Sequence, residues 1–205
     1  MYDMKLYIVR HGETNYNKKY LLQGEVDLEL NEYGRQLARL TADGLRTVHF
    51  ERAYCSPLIR ARETAQIILG ERKVPLYPDD RIREISFGEY EGLCYRGEGY
   101  NVPDPEFNDF FDAPEKYKTP PGGESLRAVI ERTGEFWESL IHDPENEGKT
   151  ILIVSHGGAI RGLLSYIQKS PIEKYWGNGL HRNCAVAVLE VSGGSIRIIE
   201  EGKVY

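Results

Sequence analysis

Cysteine is scarce. Cys55, Cys94 and Cys184 are the whole complement of a 205-residue chain, an odd number lying far apart and outside any CxxC or Cys/His cluster. That spacing argues against a disulfide framework and a structural zinc site. Long apolar runs are also missing: none reaches the roughly 18 residues of a membrane span. No charged-then-apolar leader precedes Leu6, so a soluble, cytoplasmic protein is the expectation. Positive charge is in short supply, with 26 Lys and Arg against 32 Asp and Glu and a net charge of −6. That balance points away from a nucleic-acid or anionic-membrane partner, although a local basic pocket stays compatible with it. No repeat or low-complexity tract occurs.

What is there is an ordinary globular balance, 40% hydrophobic and 28% charged, in a chain long enough for one domain over 1–205. Residues 5–10 read as a buried strand. Leu37, Leu40 and Leu45, at roughly helical spacing behind Asn31 as a cap, predict a helix over 31–45. A short strand is expected within 50–56, a helix over 58–69 with Pro57 near its start, and an extended segment over 74–84. Residues 88–123 hold five of the ten prolines and read as an irregular cap. A helix near 124–142 follows. Residues 150–167 then read as a buried strand, a glycine turn and a helix, and a closing hairpin turns at Gly193-Gly194. Strands alternating with helices argue for an α/β layered domain with a largely parallel sheet.

In such sheets ligands bind beyond the carboxyl ends of the strands. That rule singles out His11 and His156, each following an apolar strand ("IVRHGE", "IVSHGG") and each preceding a glycine. Glycine there, Gly12 or Gly157, lets the backbone turn and an anion approach closely. A lone strand-end histidine is usually structural; two in matching contexts point to a shared site. Neutral imidazole is a competent nucleophile near neutral pH. A metal is the rival use, but no HxxEH, HExxH or HxH spacing supplies companion ligands. Acyl hydrolysis would need G-x-S-x-G, and neither 123–127 nor 193–197 closes on glycine. Gly148-Lys149-Thr150 ends like a P-loop but precedes its strand instead of following it. Arg10, beside His11, and Arg60, opening a helix, are anion-binding candidates, because a guanidinium offers phosphate a planar fork of donors. Spacing alone does not choose Arg60 over Arg62. For Glu84, a surface pairing with Arg81 or Arg83 competes evenly with a role in a site.

Six stretches occur in a telling order: "RHGET-N-N" at 10–17, "LQG-x-x-D" at 22–27, "S-x-L-x-R-A-x-x-TA" at 56–65, "REISFGEYEG" at 83–92, "GGES" at 122–125 and "VSHGG" at 154–158. Together they resemble the histidine phosphatase superfamily, in its phosphoglycerate-mutase-like branch, over nearly the whole chain. The resemblance implies a three-layer α/β sandwich with a mixed, mostly parallel sheet. It implies that His11 is the nucleophile that becomes phosphohistidine, and that Arg10, Arg60 (rather than Arg62) and His156 hold the phosphoryl oxygens. Glu84 would be the general acid and then the base that activates water. Asn17 would add a donor to the phosphate, with Gln23, Gly24 and Gly157 on the substrate side. No cofactor and no metal are implied, since fixed cationic donors can stabilise phosphoryl transfer. His11 has to be unprotonated while Glu84 is protonated. Neighbouring cations are expected to secure the first and burial the second, giving a bell-shaped rate profile.

The implied reaction is hydrolysis of a small phosphomonoester. Cofactor-dependent mutases of this branch carry a lysine a few residues past the glutamate motif, where this chain reads Leu93-Cys94-Tyr95-Arg96. From Glu84 through Glu124, ten acidic side chains stand against three basic ones, a field that opposes a doubly anionic substrate. A mutase is therefore the alternative, and a non-catalytic phospho-ligand binding protein on the same scaffold is another. Most aromatics of the cap are expected to pack it onto the domain, leaving some to stack on a planar leaving group. Substrate identity and oligomeric state stay open.

Overall fold

The computed structural model describes residues 1–205 in full. Six strands, β1 (Met4–Arg10), β2 (Arg52–Cys55), β3 (Leu76–Pro78), β4 (Thr150–Ser155), β5 (Val186–Ser192) and β6 (Ser195–Lys203), form one sheet in the order β3-β2-β4-β1-β5-β6. The first four run parallel, while β5 is antiparallel to β1 and β6 to β5. β1 and β4 are central and covered on both faces. Leu6–Val9 and Ile151–Val154 are all buried, which is why both strands read as unbroken apolar runs without alternation. Their register sets Arg10 opposite Ser155, so His11 and His156 leave the sheet side by side.

The helices are α1 (Asn15–Lys18), α2 (Glu32–Gly44), α3 (Ile59–Leu69), α4 (Asp109–Asp112), α5 (Leu126–His142) and α6 (Gly157–Gln168). On one face α5 and α6 bring Phe136, Trp137, Ile160 and Leu163 against Leu6, Ile8, Ile151 and Ile153. On the other, α3 sets Ala61, Ala65 and Ile68 against Val9, Leu152 and Val154. This is the expected three-layer sandwich with a mixed, mostly parallel sheet. Asn31 and Ser125 cap α2 and α5 by accepting the N–H groups of Gly34 (2.7 Å) and Ala128 (3.2 Å). One expectation for α2 fails: Leu40 is 44% exposed. The buried stripe runs instead through Gly34, Ala38 and Thr41 to the cap residue Leu45, small residues that let the helix lie close to the loop after β1. The closing hairpin turns at Gly193 and Gly194 with φ of +55° and +79°, the left-handed pair that a two-residue turn requires.

The cap at 88–123 is irregular as read, interrupted only by α4 and by single 3-10 turns at Gly88–Tyr90 and Pro114–Lys116. Phe107 and Phe110 anchor it, packing with Phe87, Leu126, Val129 and Tyr175 in a third apolar cluster. No helix is long and apolar enough to cross a membrane.

Candidate active site

The residue after β1 and the residue after β4 are both histidines. Their rings lie 5.0 Å apart, and both side chains are buried. His11 Nδ1 lies 2.6 Å from the carbonyl oxygen of Gly12. A carbonyl only accepts, so Nδ1 carries the proton and Nε2 keeps its lone pair. His156 is set the opposite way. Arg60 Nε–H donates to its Nδ1 at 3.2 Å, which puts the proton on Nε2, a buried atom with no partner in the protein. One ring presents a bare nitrogen and the other an N–H. Burial, followed by the charge of Arg60, holds both pKa values well below the ordinary 6.5. Cations were the expected cause for His11; burial comes first and Arg60 and Arg10 follow.

Of the nine site residues read from the sequence, eight line one open cleft of about 500 Å³; His156 stands just behind its wall. Arg60 is completely buried. Its Nη1 and Nη2 donate to the carbonyls of Val26 and Gly24, each at 2.7 Å. Arg62 is exposed one position from that buried face, which separates the two arginines that spacing could not. Arg10 donates through Nη1 to the carbonyl of His181, and its buried Nε has no partner. Neither Arg10 nor Arg60 meets a carboxylate at bonding distance, whereas Arg132 and Arg161 pair with Glu124 and Glu201. Burial lowers both pKa values, that of Arg60 to about 10, which keeps Arg60 charged at neutral pH. Desolvating a cation is costly; here Glu84, and for Arg60 also Asp27, offset part of that cost from beyond bonding distance, and an anion entering the cleft offsets more.

Glu84 does not pair with its neighbouring arginines. Arg81 binds Asp79 at 2.6 Å, and Arg83 binds Glu25. The Glu84 carboxylate instead accepts the N–H groups of Ile85 (3.0 Å), Ala159 (3.0 Å) and Gly158 (3.3 Å). The last two belong to the first turn of α6, where free donors and the helix dipole favour negative charge. The approach is close: a Cβ on Gly158 would lie 2.7 Å from Glu84 Oε1 and would push the carboxylate off this helix terminus. The expected burial of Glu84 is only partial, because the side chain lies on the cleft wall and faces its opening. Behind it, Arg132 of α5 gathers the acid-bearing segment. Its Nη1 donates to the carbonyls of Arg81 (2.7 Å) and Arg83 (2.8 Å), and its Nη2 to that of Glu84 (3.2 Å). Glu124, from the "GGES" stretch, fixes this guanidinium at 2.7 and 2.9 Å.

Thr14 ties the remaining predicted residues together. It caps α1 in a reciprocal pair with Asn17, and its hydroxyl donates to Gln23 Oε1 at 2.7 Å. Asn17 Oδ1 accepts the N–H of Thr14 (3.1 Å), leaving its amide donors for the cleft. Sequence reasoning assigned no part to four contributors. Thr64 accepts the Gly12 N–H at 3.0 Å, Asn183 donates to the His11 carbonyl at 3.0 Å, the His181 carbonyl holds Arg10, and Arg132 holds Glu84. Thr64 lay inside a quoted motif; the others come from α5 and the loop before β5, with no local signal.

The geometry has counterparts. The histidine phosphatase superfamily (branch 1) matches residues 6–202. A probable phosphatase of Schizosaccharomyces pombe, C1687.21, is 32% identical over 167 residues, covering 81% of this chain and 74% of its own. The 2,3-bisphosphoglycerate-dependent phosphoglycerate mutase of Cytophaga hutchinsonii is 32% identical over 169 residues, covering 80% and 77%. Among solved structures, Bacillus stearothermophilus YhfR superposes with a TM-score of 0.90 at 35% identity, over 98% of both chains. Matched from the first strand to the last, this chain is an enzyme of the histidine phosphatase superfamily.

Proposed function

We propose that the protein hydrolyses small phosphomonoesters through a phosphohistidine on His11, without a metal. The observation that carries this reading is the 2.6 Å contact of His11 Nδ1 with the Gly12 carbonyl, which assigns the proton to Nδ1 and a lone pair to Nε2, beside two arginines that make no ion pair at bonding distance. The phosphoryl oxygens take donors of Arg10 and Arg60 and the Nε2–H of His156, with Asn17 adding its amide. Gln23, Gly24 and Gly157 border the substrate. His11 Nε2 attacks phosphorus, the bond to the ester oxygen breaks, and Glu84, which takes up a proton once the phosphoryl dianion lies beside it in spite of the N–H donors that favour its charge, gives that oxygen its proton. The alcohol leaves. Glu84, now a carboxylate, takes a proton from water as the water oxygen attacks phosphorus and the P–N bond breaks, which releases phosphate and restores His11. Positioned charge supplies the catalysis. The three unpaired cysteines fit a reducing compartment, so the cytoplasm is the proposed location.

A panel of phosphomonoesters assayed with a chelator present tests this. Turnover is expected to be undiminished by the chelator. Glu84→Gln is expected to lower kcat on alkyl esters about a hundred- to ten-thousand-fold. Dependence on a divalent ion, or full activity in Glu84→Gln, would contradict the reading.

Similarity to a mutase motivates a second reading, cofactor-dependent isomerisation of phosphoglycerate. It needs a second anion site, and the arginines of the cleft are Arg10 and Arg60 alone. Adding 2,3-bisphosphoglycerate decides between them. Hydrolysis without it is expected; isomerisation that requires it would install the mutase instead.

A further inference from the structure

We infer that the leaving group admitted by this cleft is uncharged and carries an apolar, flat face. The inference rests on the phosphatase reading and names its substrate class. The cleft that holds the arginines is also lined by aromatic rings, Tyr95, Phe110, Phe111 and Trp176, with Leu180 beside them. The rings form one continuous layer. Centroids are 4.8 Å apart for Phe110 and Phe111, 5.0 Å for Phe110 and Trp176, 5.4 Å for Phe111 and Trp176, and 5.6 Å for Tyr95 and Phe111. The layer has a fixed backing, since Phe110 is 2% exposed and sits in the cluster that pins the cap to α5. Trp176 Nε1–H donates to the Phe110 carbonyl, so the indole offers a substrate only its apolar surface. Phe111 and Tyr95 are half-buried and continue into an outer groove that adds Tyr100 but also the polar Arg96, Asn108 and Asp112.

Charge points the same way. Arg10 and Arg60 are the permanent cations of the inner cleft, and the phosphoryl group takes both. Of the three basic residues of the cap, Lys118 pairs with Glu106, and the Arg96 guanidinium lies 5.7 Å from the centre of the Tyr20 ring. In the inner cleft a carboxylate or second phosphate on the leaving group therefore has no cation of its own, and the carboxylates it meets are Glu84 there and Asp112, beside Arg96, in the outer groove. An apolar face, by contrast, leaves water against the ring layer. Discrimination comes from both the attractive wall and the lack of a cation for a second anion.

Esters whose alcohols have similar acidity separate this wall from leaving-group chemistry. The comparison is kcat/KM for 2-phenylethyl phosphate, propyl phosphate, phosphoserine and 3-phosphoglycerate. The phenylethyl ester is expected to exceed the propyl ester about ten-fold or more, and to exceed both carboxylate-bearing esters by a larger factor. Phe111→Ala should bring the phenylethyl-to-propyl ratio toward one; Tyr95→Ala, at the outer edge of the layer, reads the same ratio should the first variant not fold. Phosphoserine or 3-phosphoglycerate turned over as well as the phenylethyl ester, or a ratio unmoved by either substitution, would overturn the inference and leave the phosphatase reading standing. No turnover of any of the four esters would overturn the phosphatase reading itself.

Discussion

In the proposed reaction His11 acts only while unprotonated, and its surroundings favour that state through burial, then Arg60, then Arg10. The same holds for His156, so both folded-state pKa values lie well below 6.5. The sign of the consequence follows. Below pH 6.5 the unfolded chain binds protons that the folded chain refuses, so stability is lost as pH falls from that value toward the folded pKa values. The slope is expected to be about half of 1.4 kcal/mol per pH unit for each histidine at pH 6.5 and to approach about 1.4 roughly one unit lower. Urea unfolding from about one unit above 6.5 to about one unit below measures it, and His156→Gln should make the slope shallower; a pH-independent midpoint over that range would contradict the assignment. At this scale much was legible: Arg10, His11, Arg60 and His156 stand at strand ends or a helix start in short ordered motifs. The tautomers were not, because they depend on the Gly12 carbonyl and on a guanidinium whose sequence position is 96 residues from its histidine partner.

Among the elements, α5 does more than cover the sheet. Arg132 holds three carbonyls of the segment that ends in Glu84, and a lysine's compact ammonium cannot reproduce that fork. Arg132→Lys is therefore expected to lower kcat on alkyl phosphates by up to about a hundred-fold. It should spare p-nitrophenyl phosphate, whose leaving group needs no proton. Equal losses on both substrates would mean a purely structural role. Helices α2, α3 and α5 and the final hairpin were readable because caps, periodicity and a Gly-Gly turn act locally. The turns of the cap were not. A four-residue helix such as α4 lies below the length at which local propensity sustains it, and packing of Phe107 and Phe110 holds it in place. Leu40 misled for a related reason, since contact with the loop after β1 decides which face of α2 is buried.

For the molecule as a whole, the site is assembled from distant parts: the central strands, the first turn of α6, the cap, and the loop before β5. That loop is fastened to the pair that Arg161 of α6 makes with Glu201 of β6, since Arg161 also donates to the Gly179 carbonyl and His181 Nε2 lies 3.3 Å from Glu201, and the loop holds Arg10 through the His181 carbonyl. The alternation of strands and helices disclosed the layers, but not that β5 would lie antiparallel against β1, a choice made by the sheet and not by either strand. Such an assembly around two unpaired arginines should be stabilised by an anion. Inorganic phosphate at a hundred times its dissociation constant is expected to add about 2.7 kcal/mol, read as a rise in Tm. Arg60→Gln should abolish the rise, and an equal rise in that variant would place the anion elsewhere.

The central claim is a covalent bond between His11 and phosphorus. Quenching the protein in alkali during its first turnover of a phosphomonoester, then locating the phosphoryl group by mass spectrometry, tests it directly. The account predicts one acid-labile, alkali-stable phosphoryl group on His11 and none in His11→Ala. A phosphoryl group on another residue, or undiminished hydrolysis in His11→Ala, would contradict it.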